Sequence, residues 1–300
     1  MPRRAQHPDH LDHAAALSSD RTRHGLSMKQ AQGASLQHLF HGVISLGLDE
    51  DAVLDRCRAF EPLLRPGEAF SHSTGFLLLG GHLPGAIGSN PELHLTHRGK
   101  PRNRAGVLGH RSDAFPPIIF VDGLPVIAPA TLWCQLSTAL GLPELVAAGD
   151  FLVTTTKHRE ALSTVAGLVS AVAAHGSRRG RRVLDAALPL VRSGPDSRPE
   201  SLLRVLLVDA GLPEPVIHYP ISVGGLVLHP DLSYPEFKIA IEYEGDQHRS
   251  DRTQWRRDLT RYELLQDAGW RVIRVHADDL FGDPGSVTRR VRGALRAALI

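Results

Sequence analysis

Cysteine is almost missing from this chain: its 300 residues include only Cys57 and Cys134, with no CxxC pair. No apolar run approaches the roughly 18 residues that a membrane span needs. The N-terminus is polar and rich in histidine rather than apolar, so it lacks the pattern of a secretory signal. These absences argue against a membrane protein and point to a reducing, cytoplasmic compartment. An excess of one charge is lacking too. The net charge is only +2, which withholds the signal a strongly basic nucleic-acid-binding domain would give. Lysine is scarce, confined to Lys29, Lys100, Lys157 and Lys238, and the other basic side chains are arginine. That bias suits phosphate, because guanidinium forks match phosphate oxygens bidentately, and it equally fits a coding bias.

What is present is ordinary globular composition, 42% hydrophobic and 22% charged. The length predicts two domains, each able to bury a core. Residues 1–25 carry His7, His10 and His13 at three-residue spacing. Polar, histidine-rich termini are commonly disordered, and disorder is expected here. A short helix followed by a strand is expected over 27–48, and a helix over 49–60. Short apolar runs punctuated by Gly and Pro follow between Phe70 and Val126, predicting strands with one helix near Ser73 to Leu79. His72, His94, His97 and His110 fall in this region without a recognisable ligand spacing, and read as surface or satisfied core histidines. Helices are expected over 128–140 and 142–153. The cluster Arg178 to Arg182 opens another, and suits a solvated helix end as well as a phosphate contact. The Gly/Pro/Ser-rich stretch 192–199 is the expected break between an α+β domain at 26–190 and a compact α/β unit at 198–300, with 191–197 as linker.

The α/β unit centres on the stretch from Leu226 to His248. It reads as a hairpin whose strands carry acidic residues at their far ends. From Phe237 to Glu244 the side chains alternate, so Phe237, Ile239, Ile241 and Tyr243 should bury while Lys238, Ala240, Glu242 and Glu244 stay solvated. A turn about Tyr234 to Phe237 pairs residues whose numbers sum to about 473 and sets Asp231 opposite Glu242, roughly 5 Å away. Glu244 follows on the same face, about 7 Å along. Gly245 allows a sharp turn that brings Asp246 and His248 close. Like charges so placed repel, and a cation is expected there. Upstream, Ser197 caps a helix with Pro199 and Glu200 in its first turn and Leu202, Leu203, Leu206 and Leu207 on its apolar face. Glu200 is favoured there by the helix dipole alone. A strand over 215–223, a helix over 255–268, a strand over 270–275 and a final helix from Asp283 complete the order αβββαβα, a mixed sheet flanked by helices.

Five blocks in this order, Pro199-Glu200-Ser-Leu-Leu, His229-Pro-Asp231, Ile241-Glu242-Tyr-Glu244-Gly-Asp-Gln-His248, Arg257-Asp258-Leu-Thr-Arg261 and Ala268-Gly-Trp-Arg-Val-Ile-Arg274, resemble the domain of unknown function 559. That family is similar to the very-short-patch-repair endonucleases of the PD-(D/E)XK, restriction-endonuclease-like fold. The resemblance implies a metal-dependent DNA phosphodiesterase acting in repair or in defence against foreign DNA. Glu200, Asp231 and Glu242 would hold Mg²⁺ or Mn²⁺, Glu244, Gln247 and His248 would assist the chemistry, and Arg256, Arg257 and Arg261 would contact DNA. The general motif places a lysine two residues after the second acid, where this chain has Glu244. The runs 69–80 and 122–132 are similar to the middle region of AbiEi-type antitoxin-like proteins, which often begin with a winged helix-turn-helix. The segment before Gly42 is too short for a complete one, so a truncated or degenerate version is expected. This second resemblance implies an alternative, a non-catalytic DNA-binding or antitoxin-like regulator with a toxin or other protein as partner.

Overall fold

The computed structural model describes residues 13–89, 92–113, 116–245 and 261–299. Contacts divide the chain into two compact units, Met1–Ala139 with Arg178–Gly180, and Leu140–Ser177 with Arg181–Ile300. Gln247, His248, Arg256 and Arg257, expected at the site, lie outside the described residues, as do His7 and His10.

The first unit contains β1 (Ala14–Leu17), α1 (Met28–Ala31), β2 (Val43–Leu46), α2 (Val53–Phe60), β3 (Ala69–Phe70), α3 (His72–Leu78), α4 (Gly85–Gly88), β4 (Leu93–His97), β5 (Asn103–Arg104), β6 (Val107–Arg111), β7 (Ile118–Val121), β8 (Leu124–Ile127) and α5 (Pro129–Leu136). Its larger sheet runs β5-β6-β4-β3-β8-β7, with β4 parallel to β6 and β3 parallel to β8. The disorder expected for residues 1–25 does not hold for the described part. The apolar run Ala14-Ala-Ala-Leu17 pairs antiparallel with Val43–Leu46, and Ala16 is buried against Leu26 and Ile44.

The second unit contains α6 (Leu142–Val153), α7 (Val165–His175), α8 (Arg181–Ala187), α9 (Arg198–Asp209), β9 (Val216–Ile217), β10 (Ile221–Val223), β11 (Leu226–Leu228), β12 (Leu232–Tyr234), β13 (Ile239–Glu244), β14 (Arg271–His276) and α10 (Pro284–Ala297). Residues 261–267 are helical as well. The sheet order is β14-β13-β12-β9, with β13 parallel to β14 and β12 antiparallel to both its neighbours. This is a mixed sheet flanked by helices, as the order αβββαβα anticipates and as a restriction-endonuclease-like fold requires. Among the described residues, no helix is long and apolar enough to cross a membrane.

Stretch 191–197, read as a linker, is tied into this second unit. Asp150 of α6 accepts from the Arg192 amide at 2.7 Å and pairs with the fully buried Arg204 of α9 at 2.9 Å, and Thr154 Oγ1 accepts from the Gly194 amide at 3.0 Å. The unit therefore starts at Leu140, ahead of the expected boundary. The reason is electrostatic: α6 supplies the carboxylate that α9 needs for its buried guanidinium.

The hairpin register matches its expectation, since Leu232 faces Ile241, Ser233 faces Ala240 and Tyr234 faces Ile239. Two details differ. Leu226–Leu228 pairs with Ile221–Val223 in a separate two-stranded ribbon rather than with β13. The alternate face of β13 is also not solvated: Ala240 and Glu242 are both buried. Ile239 and Ile241 pack on one side with Leu203, Leu207, Val287 and Val291, while Ala240 packs on the other with Ile221, Leu265 and Trp270. Alternation alone assigns two faces to a strand; it does not say that a second layer covers the polar one.

Candidate functional site

Three elements converge on one corner of the second sheet. The first is the N-terminus of α9. Ser197 caps it by accepting from the Glu200 amide at 3.4 Å, Pro199 sits in the first turn, and Gly211, at φ 73°, follows its end. The Glu200 carboxylate folds back on this cap, accepting from Ser197 Oγ at 2.8 Å and from the Asp196 amide at 2.9 Å. The capping arrangement that makes Glu200 structurally ordinary thus also fixes its oxygens. Leu202, Leu203 and Leu207 anchor the helix beneath it, each such side chain contributing about 1.5–3 kcal/mol by burial.

The second and third elements are β9 and β12. Leu232 faces Ile217 and Ser233 faces Val216, and continuing that pairing sets His218 opposite Asp231. The His218 amide donates to the Asp231 carbonyl at 3.2 Å. Asp231 therefore stands between two register partners, His218 on one side and Glu242 on the other. Its Oδ2 accepts from the Tyr243 amide at 2.7 Å. His218 adopts the left-handed conformation at φ 48°, which ends β9, and its Nε2 lies 3.2 Å from Glu200 Oε2.

Glu200, His218 and Asp231 each offer one ligand atom, all within 4.8 Å of one another. Two of the three expected ligands are so brought together, joined by a histidine that was not expected. The expected strand over 215–223 ran straight through His218, and only the pairing of β9 with β12 places it. Glu242, the third expected ligand, lies beside Asp231 rather than in that trio. It is 3% exposed, and among the described residues its Oε1 meets Arg261 Nη2 at 3.0 Å as an ion pair and accepts no hydrogen bond. Arg261, expected on a DNA-facing stripe, is held inward by Glu242 and by the His229 carbonyl.

Electrostatics follow from this crowding. Burial pushes the Asp231 carboxyl up to about 7, the Glu200 charge adds to the rise, and the Tyr243 amide, Arg261 and His218 oppose it. Burial also pushes Glu242 up to about 8, with Asp231 adding, and with Arg261 and the Asp231 amide opposing. The hydrogen bond to Glu200 raises His218 above its ordinary value against the effect of burial. Left to itself this corner retains protons; a cation of higher charge would replace them.

Glu244 has a different environment. Burial disfavours its charge, but hydrogen bonds from Arg274 and from Tyr262 Oη (2.9 Å) outweigh that and hold it below the usual carboxylate range; His276 Nδ1 adds a contact at 3.4 Å. Glu244→Lys, which writes the motif lysine into the chain, is expected to lower stability by about 1–2 kcal/mol, because it removes the acceptor shared by Arg274 and Tyr262 and adds a cation beside Arg274. Thermal melts of the variant check this, and unchanged stability would contradict it.

Oxygen donors with one imidazole, and a buried carboxylate oxygen that accepts no hydrogen bond from the described residues, suit a hard divalent cation of the Mg²⁺ or Mn²⁺ type.

The restriction-endonuclease-like family REase_MTES_1575 matches residues 215–295, which include β9 to β14 and most of α10. Two curated Mycobacterium tuberculosis proteins are similar to the chain: uncharacterized protein MT2308 of strain CDC 1551 / Oshkosh and uncharacterized protein Rv2248 of strain ATCC 25618 / H37Rv. Each is 30% identical over 172 residues, or 57% of this chain and 62% of the relative. The chain thus spans about three fifths of the length of the curated relatives it matches. No solved structure matches it. The family match falls on the strands that assemble the carboxylate corner, and the C-terminal domain of this chain is nuclease-like.

Proposed function

We propose that the protein is a metal-dependent endonuclease that hydrolyses DNA phosphodiester bonds, in repair or in defence against foreign DNA. The observation that carries this reading is the convergence of Glu200, Asp231 and His218 within 4.8 Å, beside a buried Glu242 whose Oε1 accepts no hydrogen bond from the described residues. Glu200, Asp231 and Glu242 would hold Mg²⁺ or Mn²⁺, with His218 at its edge. Such an ion supplies positive charge for the cleaved phosphate and acidifies water. The chain's own contribution is positional. The Ser197 hydroxyl and the Asp196 amide fix Glu200, the Tyr243 amide fixes Asp231, and β12 holds Asp231 between its partners on β9 and β13. His218, held by Glu200, is placed to orient a water or to pass a proton to a leaving oxygen.

A second reading has specific support. Glu244 occupies the place of the motif lysine and is saturated by Arg274 and Tyr262, and Arg261 lies where a cation beside Glu242 would lie. A protein that keeps the fold without turnover, acting as a DNA-binding or antitoxin-like regulator with a protein partner, is consistent with both features.

Incubation of purified protein with supercoiled plasmid and Mn²⁺ or Mg²⁺ separates the two. The nuclease reading expects nicking that EDTA stops and that falls to the metal-free background in Asp231→Ala. Equal nicking by that variant would remove the assignment. Salt-sensitive DNA binding without turnover would favour the regulator.

A further inference from the structure

The first unit carries a second cluster of ligating groups. His72 stands at the start of α3, His94 on β4 and His110 on β6. Because β4 and β6 are parallel, with His94 facing Leu108 and Thr96 facing His110, the two strand histidines lie on one face of the sheet, two residues apart along it. His72 reaches that face from the turn after β3. One ring nitrogen from each of the three lies within 4.8 Å of the others, and all three side chains are half-buried. His94 Nδ1 and His110 Nε2 are 3.0 Å apart, and the His72 and His110 rings stack at 3.6 Å.

We propose that His72, His94 and His110 form a binding site for a first-row transition-metal dication of the Zn²⁺ type, separate from the carboxylate corner of the second unit. Three arguments converge on it. Imidazole is the nitrogen donor such ions favour, and three histidines with one position open to water is a recurrent zinc arrangement. Two nitrogens bound at about 2.0–2.1 Å with a tetrahedral angle stand about 3.3 Å apart, close to the spacing His94 and His110 already show. The surrounding groups also behave as orienting partners. His72 holds a left-handed backbone at φ 51°, which a non-glycine residue rarely adopts, and its amide is fixed by donation to Gln135 Oε1 at 3.0 Å. The other end of Gln135 donates to Thr96 Oγ1 at 3.5 Å, and Thr74 Oγ1 accepts from the His94 amide at 2.8 Å. Ser71 Oγ engages His72 Nδ1 at 3.0 Å, which leaves Nε2 to ligate. The Ser71 contact orients the His72 ring as the outer partner of a metal-ligating histidine does, and the Gln135 and Thr74 bonds hold the backbone from which the His72 and His94 rings project. Binding exchanges the His94–His110 hydrogen bond and the ring stack for coordination bonds, and the ion draws β4, β6 and the α3 N-terminus to one point.

The test is zinc titration of the EDTA-stripped, full-length protein against a chromogenic chelator. Zn²⁺ taken up at the carboxylate corner is removed by Asp231→Ala, and one further Zn²⁺ per chain is expected, with affinity reduced at least 100-fold in His94→Ala and in His110→Ala. Asp231→Ala and the combined His7→Asn, His10→Asn, His13→Asn variant are expected to keep that ion, which distinguishes this site from the carboxylate corner and from the histidine-rich N-terminus. Unchanged affinity in both single variants would overturn the proposal, as would loss of the ion in either control. Should the alanine variants fail to fold, Co²⁺ added to the wild-type protein decides. An intense visible band of a four-coordinate nitrogen site supports the proposal, and only the weak absorption of a six-coordinate oxygen site refutes it.

Discussion

Arg204→Met is expected to destabilise the second unit by about 3–5 kcal/mol, the cost of leaving one partner of a buried ion pair unmatched. Arg204 is 0% exposed, and its guanidinium is shared by Asp150 at 2.9 Å, Glu214 at 2.8 Å and the Leu190 carbonyl at 2.8 Å. Burial already raises Asp150 above the usual carboxylate range, even with Arg204, the Arg192 amide and Ser201 opposing. Without the guanidinium, Asp150 must take up a proton or remain an uncompensated charge, and α6 loses its ion pair to α9. Urea denaturation followed by circular dichroism should show the loss. The double variant Asp150→Leu with Arg204→Met should lose less than Arg204→Met alone, because it removes the stranded charge as well. Additive losses would mean that the two side chains act independently.

The metal-free protein should lose stability as pH rises from about 4 to about 8. In the folded chain Asp231 and Glu242 keep their protons up to about pH 7 and 8, while in the unfolded chain carboxyls ionise near pH 4. Across that window the folded state binds more protons than the unfolded state. The contribution of these groups is therefore full below about pH 4, declines through the window and is lost above about pH 8. A tenfold change in proton affinity corresponds to about 1.4 kcal/mol, so the loss amounts to several kcal/mol. Thermal melts in EDTA at pH 5 and pH 8 should show it. Asp231→Asn with Glu242→Gln should flatten the dependence. Mn²⁺ at 100 times its dissociation constant should return about 2.7 kcal/mol at pH 8 in the wild type and nothing in the double variant. Identical pH profiles for wild type and variant would show that these two carboxyls do not carry the effect.

Local spacing made much of the second unit legible. The Pro235 turn and the apolar alternation of Ile239 and Ile241 specify the register that pairs Leu232 with Ile241, and Ser197, Pro199 and Gly211 mark the ends of α9. What spacing missed depends on contacts distant in sequence. His218 was invisible as a ligand because its place opposite Asp231 arises from the β9–β12 pairing, and the left-handed turn that ends β9 interrupts a run that reads as one strand. Glu242 looked solvated because nothing on β13 announces that Leu265, Trp270 and Ile221 cover its neighbour Ala240. Asp150 and Arg204 lie 54 residues apart, so the stretch rich in Gly and Pro between them reads as a linker. The trio His72, His94 and His110 follows no ligand motif, since sheet pairing rather than helical or loop spacing gathers it.

The dependence of the carboxylate corner on a four-stranded sheet has a kinetic consequence. Ile239 and Arg271 meet in the parallel pairing of β13 with β14 although the chain between them is some thirty residues long, and closures of that kind come late in folding. Glu242 acquires its final surroundings only when that closure is made. Tight metal capture should therefore appear with the last folding phase, and in stopped-flow refolding the uptake of Mn²⁺ would serve as a clock for completion of the sheet.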